Sequence, residues 1–126
     1  ETLITRAKME RRQAVENLDD IRGVRGLDAI YIGPNGLAIS LGYAPSGVPT
    51  DVVVIDAIKT MVAGAKRHGI YAGIHCGSTA MAKQMIALGF QFVTLMADNA
   101  FLAAAAKGAV AEMREGSAAV TATGTY

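Results

Sequence analysis

Apolar and polar residues are arranged in two kinds of segment along this chain. Short runs rich in apolar and β-branched residues are typical of strands, and they cover Thr2–Met9, Leu27–Gly33, Ile70–Cys76 and Phe90–Met96. Between these runs, apolar residues recur at intervals of three and four, which places them on one face of a helix. This spacing predicts helices over Glu10–Ile21, Asp51–His68, Ser78–Leu88 and Asn99–Arg114. The predicted order is therefore β-α-β-α-β-α-β-α.

Residues at the ends of the predicted helices support these limits. Thr50 and Ser78 are suitable N-caps, and Gly69 follows a basic last turn, as glycines that end helices often do. The long connection over residues 34–49 follows the second strand and includes a short predicted helix, Leu37–Leu41. Loops at the carboxyl ends of strands often carry function. We expect one domain over residues 1–115 and a flexible tail over residues 116–126, which are small and polar.

Alternation of strands and helices predicts a parallel sheet with helical crossover connections. Two α/β arrangements satisfy this pattern. One is a doubly wound sheet, with helices on both faces. The other is half of a (β/α)8 barrel, a fold that usually takes ~250 residues. Periodicity alone leaves both arrangements open.

Composition excludes several functional classes. Hydrophobic residues make up 52% of the 126 positions and charged residues 18%, which excludes a disordered chain. No apolar run reaches the ~20 residues of a membrane span, and the net charge of +1 argues against a nucleic-acid surface. The single cysteine, Cys76, excludes an internal disulfide framework, and we expect it to be a buried structural thiol. We expect a globular, cytoplasmic protein with neither a membrane nor a nucleic-acid partner.

A family resemblance enters at Met9–Ile21 (MERRQAVENLDDI) and Gly26–Tyr43 (GLDAIYIGPNGLAISLGY). These stretches resemble the HpcH/HpaI aldolases, and the resemblance continues through RHGIYAGIHC, MIALGFQFVTL and DNAFLAAAAK. That family has a (β/α)8 barrel, and the matching motifs belong to its C-terminal half, strands five to eight. The resemblance therefore favours the half-barrel arrangement over the doubly wound one.

The resemblance implies an activity, a cofactor and ligands. Family members cleave 2-keto-4-hydroxy acids into pyruvate and an aldehyde, and a divalent cation (magnesium, manganese or cobalt) stabilises the charge that builds on the keto oxygen. The resemblance places one metal ligand at Glu10. The second ligand is the aspartate of a G-P-x-D-L motif, which reads GPNGL here, so that Gly36 occupies its position. Lys8 stands where the family commonly has a glutamine that contacts substrate, and the family's catalytic histidine and pyruvate-binding arginine belong to the N-terminal half.

Three interpretations of Lys8 stay open. Because side chains alternate along a strand, Arg6, Lys8 and Glu10 are expected on one face, the interior of the barrel. The Lys8 ammonium could take the place of the metal and pair with Glu10, or its amine could form a Schiff base with a carbonyl substrate. Alternatively the site is broken, and both cations are tolerated because the inner face is wet.

Two further features point to substrate binding. The backbone N–H groups of Asn35 and Gly36 start a short helix and are suited to a carboxylate, although a plain turn is the alternative. His75 ends a strand on the same side as Tyr71 and Gly73, where the resemblance implies substrate contacts. A histidine bonded only to its neighbours is the alternative.

The sequence therefore supports two functions. One is a carbon–carbon lyase that acts on pyruvate or another 2-keto acid, impaired in this chain and dependent on pairing with an N-terminal half-barrel. The other is an inactive half-barrel that self-associates, with at most weak carboxylate binding. The resemblance also implies a homo-oligomer in which the helix over Asn99–Arg114 reaches into a neighbour. A truncated fragment without a native role is not distinguished from the second function.

Overall fold

The computed structural model describes residues 3–121, without the side chains of residues 22 and 116–121. The described strands are β1 (Arg6–Met9), β2 (Ala29–Ile32), β3 (Tyr71–Cys76) and β4 (Phe92–Leu95). The described helices are α1 (Arg12–Glu16), α2 (Leu18–Arg22), α3 (Pro34–Leu41), α4 (Val52–Arg67), α5 (Thr79–Leu88) and α6 (Asp98–Thr121). The predicted positions of all four strands are confirmed, although each observed strand is shorter than its apolar run.

The four strands form one parallel sheet in the order β1-β2-β3-β4. Every strand thus pairs with the next one in the chain, and the order never reverses, as it does in a doubly wound sheet. Right-handed crossovers in such a sheet place all connecting helices on the same face. The half-barrel prediction is confirmed, and the doubly wound alternative is excluded.

The hydrophobic core lies between this sheet and the helices of residues 3–95. Alternate strand residues face it with no exposed surface, including Ile30, Ile32, Ile74 and Cys76. The helices contribute Leu37, Val54 and Met61, which are also fully buried. One face of the sheet is therefore packed with aliphatic side chains, as expected for a buried parallel sheet.

The predicted single helix over Glu10–Ile21 is wrong. The structure has two short helices, α1 and α2, separated at Asn17, whose φ of −96° and ψ of 25° lie outside the helical values. Asparagine favours such breaks because its short polar side chain competes for backbone hydrogen bonds. The apolar spacing continues across the break, since Leu18 is buried, and for this reason periodicity alone does not reveal it.

Helix ends agree with the sequence at two of three positions. The Ser78 hydroxyl accepts a hydrogen bond from the Met81 amide at 3.1 Å and so caps α5. Gly69, which follows α4, has a φ of +66°, a conformation that glycine adopts without strain. Thr50 is not the N-cap of α4; that position is Asp51, whose side chain makes no capping bond.

The chain divides into two compact units, Glu1–Leu95 and Met96–Tyr126. The sheet lies in the first unit and α6 in the second, and the single domain expected over residues 1–115 stays a prediction. Helix α6 extends to Thr121, beyond the predicted end at Arg114. Of the predicted tail, residues 122–126 lie outside the described residues, so that its flexibility stays a prediction. None of the helices within residues 3–121 is long and apolar enough to cross a bilayer.

Candidate active site

The candidate residues lie on the face of the sheet opposite the core. Strand pairing aligns Lys8 with Tyr31, and Tyr31 with Gly73. Two residues further along β3, His75 pairs with Thr94. Lys8 is exposed, whereas Tyr31, His75 and Thr94 are half-buried. Within residues 3–95, this face therefore has polar and aromatic side chains at the positions where the other face has aliphatic ones.

A cleft of about 210 Å³ opens at the carboxyl end of this face, where β/α barrels place their active sites. The residues that line it are Lys8, Glu10, Tyr31, Gly33, Pro34, Asn35, Gly47 and His75. Four of the five predicted site residues thus come together. The fifth, Gly36, does not line the cleft but lies directly beneath the Glu10 side chain.

Lys8 and Glu10 form an ion pair, with 3.1 Å between Nζ and Oε1. The Lys8 side chain is 63% exposed and the Glu10 side chain 37%. Exposed pairs of this kind add only about 0–1 kcal/mol to stability. The pair therefore matters less for the fold than for the charge and position of the two groups at the cleft.

Two glycines make room for the Glu10 side chain. A Cβ atom at Gly33 would overlap Glu10 Oε1, and one at Gly36 would lie 2.9 Å from Glu10 Cβ and 3.0 Å from Cδ. Contacts that short require a shift of one partner. Glu10 can therefore lie across the end of the sheet only because both positions lack a side chain.

The side chains at the cleft do not fit a divalent cation. Hard cations such as Mg²⁺ and Mn²⁺ prefer several oxygen ligands, yet no three His, Cys, Asp or Glu side chains in the described part of the chain are grouped as a metal site. The Glu10 carboxylate is paired with Lys8, and Gly36 has no side chain to offer. Glu10 as a metal ligand, which the family resemblance implies, therefore stays a prediction.

Helix α3 begins at Pro34, three residues before the predicted start at Leu37. Proline suits the first helical position, because it has no N–H to satisfy there. The first bond of the helix runs from the Leu37 amide to the Gly33 carbonyl at 3.0 Å. The amides of Asn35 and Gly36 precede this bond, so neither has an acceptor inside the helix. Their predicted role in carboxylate binding remains open.

His75 belongs to a hydrogen-bonded network of hydroxyl and imidazole groups that the sequence did not predict. Tyr31 Oη lies 2.6 Å from Thr94 Oγ1, and Thr94 Oγ1 lies 3.0 Å from His75 Nδ1. Thr94 thus links β2 to β3, and its contact with Nδ1 fixes the orientation of the imidazole ring at the cleft. His75 and Thr94 are directly paired, whereas Tyr31 is level with Gly73, two residues earlier. Neither contact can be predicted without the pairing register.

Arg6 lies one layer further from the cleft, above two aromatic rings. Its Cζ atom is 5.0 Å from the Tyr31 ring centroid and 4.9 Å from that of Phe92. Distances of this size permit cation–π attraction. The two rings approach each other because Gly73 lies between them, where a Cβ atom would be 2.9 Å from each ring. Arg6 thus shares the face predicted for it, but it packs against aromatic rings and does not line the cleft.

The long connection after β2 is attached to the end of β3. The Gly77 amide donates a hydrogen bond to the Gly47 carbonyl at 2.8 Å. The approach is so close that a Cβ atom at Gly77 would lie 2.8 Å from Gly47 Cα. This contact holds Gly47 at the cleft, so the connection predicted to carry function supplies part of its wall.

Cys76 and His68 lie outside the cleft. The Cys76 thiol is free and buried on the core face, and desolvation by burial raises its pKa above the ordinary value of 9.0. This agrees with the predicted structural thiol. His68 caps the carboxyl end of α4, and its Nε2 lies 3.3 Å from Asp19 Oδ1. Neither residue contributes to the candidate site.

Comparison with known proteins assigns the family. The profile of the HpcH/HpaI aldolase/citrate lyase family matches residues 1–105. The chain belongs to this family. A hydroxypyruvate/pyruvate aldolase from Rhizorhabdus wittichii is 40% identical over 114 residues. A 4-hydroxy-2-oxo-heptane-1,7-dioate aldolase from Escherichia coli is 35% identical over 104 residues.

Solved structures of the family share this fold over part of their length. An HpcH/HpaI aldolase/citrate lyase family protein from Burkholderia cenocepacia superimposes with a TM-score of 0.83 and 30% identity, over 89% of this chain and 43% of that one. The R. wittichii aldolase match covers 90% of this chain and 45% of the relative, and the E. coli match 82% and 39%. The chain thus spans less than half the length of each of these three relatives, consistent with half of their barrel.

Proposed function

We propose that this chain supplies one half of an aldolase, including part of its pyruvate site, and that the aldolase cleaves 2-keto-4-hydroxy acids into pyruvate and an aldehyde. The observation that carries the proposal is the cleft, which gathers Lys8, Glu10, Asn35 and His75 at the carboxyl end of the sheet. The names of the R. wittichii and E. coli relatives, both aldolases, support the reaction class.

The residues at the cleft suit the two ends of a 2-keto acid. The Lys8 ammonium and the Asn35 amide, which line the cleft, are donors for the carboxylate. The Gly36 amide follows at the same helix N-terminus, where an anion is favoured. His75 Nε2 is the ring nitrogen that Thr94 does not engage, and we assign it to the keto oxygen. Negative charge builds on that oxygen as the carbon–carbon bond breaks, and fixed donors near it lower the barrier.

Turnover requires more than this chain. By resemblance to the family, the catalytic histidine and the pyruvate-binding arginine belong to the N-terminal half of the barrel. We therefore expect no retro-aldol activity above background from the 126-residue chain. Adding an N-terminal half-barrel is expected to create activity, because it would supply those groups. It would also cover the face of the sheet opposite the core, which we call the open face.

Two experiments test the proposal. Pyruvate added to the ¹⁵N-labelled chain should shift the amide signals of Asn35 and Gly36, whereas pyruvamide, which lacks the carboxylate, should not. The chain co-expressed with the N-terminal half of the R. wittichii aldolase should then release pyruvate from a 2-keto-4-hydroxy acid, measured with lactate dehydrogenase. Unchanged amide signals at millimolar pyruvate would contradict the proposed binding site, and turnover by the chain alone would contradict its incompleteness.

A second candidate function is self-association of an inactive half-barrel. It is favoured by the open face, on which Tyr71 is 63% exposed and Phe92 46% exposed. Strands β1 and β4 also each have one edge that pairs with no other strand among residues 3–121, and such edges readily pair with another chain. Sedimentation should show a dimer or larger assembly, whereas a well-folded monomer at micromolar concentration would exclude this candidate.

Two properties expected from the sequence accompany these proposals. They are a homo-oligomer in which the last helix reaches a neighbour, and a cytoplasmic location. The divalent metal expected at Glu10 is not part of the proposal, because the ion pair with Lys8 argues against it.

A further inference from the structure

The charged side chains at the cleft are one cation and one anion, whereas a site for a divalent metal ion usually has several carboxylates. Among the described residues that line it, the formally charged side chains are Lys8 and Glu10, and they are paired with each other. An ammonium thus occupies the position beside the carboxylate where a cation would bind. Its positive charge comes from the chain itself.

We propose that Lys8 replaces the divalent cation, so that this cleft binds the carboxylate of a 2-oxo acid without metal. The inference rests on the proposed function, because it concerns how the same cleft holds the same class of ligand. In this cleft the positive charge that binds the carboxylate comes from a side chain, and not from a metal ion as the family resemblance implies.

The geometry gives Lys8 free donors. An ammonium has three N–H groups, and the contact of 3.1 Å with Glu10 Oε1 engages one of them. The side chain is 63% exposed and lines the cleft, so the remaining donors are available to a ligand. Glu10 therefore acts as an anchor that holds the ammonium at the wall of the cleft.

The same geometry disfavours a metal ion. A divalent cation on Glu10 Oε1 would lie beside a positive charge and be repelled by it. The position that could add a second carboxylate is Gly36, and its lack of a side chain is what lets Glu10 lie where it meets Lys8. Lysine at position 8 and glycine at position 36 thus act together, since one supplies the charge and the other makes room for its anchor.

The test is the affinity of the full chain for pyruvate, measured by titration calorimetry in EDTA and again in saturating Mg²⁺. We expect the two affinities to agree within about twofold, because no metal takes part. Lys8→Gln should weaken binding about tenfold, the usual effect of losing one charged hydrogen bond. Lys8→Arg keeps the charge and should retain most of the affinity.

Lys59→Gln is the matched control. Lys59 is a similarly exposed lysine that pairs with Asp56 at 3.4 Å and lies outside the cleft. Its substitution should leave pyruvate binding unchanged. Circular dichroism of each variant shows whether the fold is retained, and Lys8→Arg keeps the test valid if Lys8→Gln is less stable.

Each contrary outcome is distinct. Binding of pyruvate only in the presence of Mg²⁺ would overturn the inference and leave the proposed function intact, as would full affinity in Lys8→Gln. Covalent trapping of pyruvate on Lys8 by borohydride would also overturn it, because the lysine would then act as an amine and not as a fixed cation. Absence of binding under both conditions would overturn the inference and the proposed function together.

Discussion

The two faces of the sheet differ although they are built from alternate residues of the same strands. On the covered face, Ile30, Ile32 and Ile74 have no exposed surface. On the other face, Tyr71 is 63% exposed, and Lys8 pairs with Glu10 at the cleft. In each strand, the residues on the covered face thus stabilise the fold, and those on the open face are available for binding and catalysis. A substitution at one position is expected to affect only one of the two.

The largest expected effect is on the covered face. Ile74→Ala removes a fully buried side chain and should lower the free energy of unfolding by about 2–5 kcal/mol. Tyr71→Thr on the open face keeps a strand-favouring residue and should change it by no more than about 0.5 kcal/mol. Urea unfolding of both variants measures the difference. Equal losses would mean that the open face is also packed in solution, as in a self-associated half-barrel.

An intermediate effect is expected where the connection meets the end of β3. Gly77→Ala would place a Cβ atom 2.8 Å from Gly47 Cα and should cost about 1–3 kcal/mol, because backbone atoms must move. The matched control is Gly23→Ala, since Gly23 has a helical φ of −75° and ordinary contacts of 3.4 Å. Chemical denaturation should show a loss only for Gly77→Ala. If neither variant loses stability, the loop is not attached in the way described.

The smallest of the three effects concerns metal binding at the open face. Gly36→Asp introduces a second carboxylate, but the new Cβ would lie 2.9 Å from Glu10 Cβ, and Lys8 would remain beside it. We expect a gain in Mn²⁺ affinity of about tenfold in the double variant Lys8→Gln/Gly36→Asp, because two carboxylates then act without a competing ammonium. Calorimetry with Mn²⁺ checks this. An equal gain from Gly36→Asp alone would show that Lys8 is not the obstacle.

The fold could be predicted from local pattern because each strand pairs with its neighbour in sequence. Short apolar runs and capping residues such as Ser78 were sufficient to place strands and most helices. The break at Asn17 and the early start of α3 at Pro34 were not predicted, because each depends on the conformation of one residue. The choice between the two sheet arrangements required the family resemblance, since periodicity does not report strand order.

The candidate site was only partly accessible from the sequence. Alternation in β1 placed Lys8 and Glu10 on one face, and the structure brings them within 3.1 Å. Tyr31, Thr94 and the attachment of Gly47 were missed. Their contacts join residues on different strands or loops, and they depend on a register and a loop path that composition and spacing do not contain.

The sequential strand order also bears on how this part of the protein acquires its structure. Because β1 pairs with β2, β2 with β3 and β3 with β4, the sheet can grow by successive closures between consecutive strands, each of which closes a shorter loop than a pairing between the first strand and the last. Among the described strands, each pairs with the strand that precedes or follows it in the sequence. We therefore expect the four-stranded sheet and its helices to fold as one unit during synthesis. A complementary half-barrel would then dock onto a sheet that is already formed.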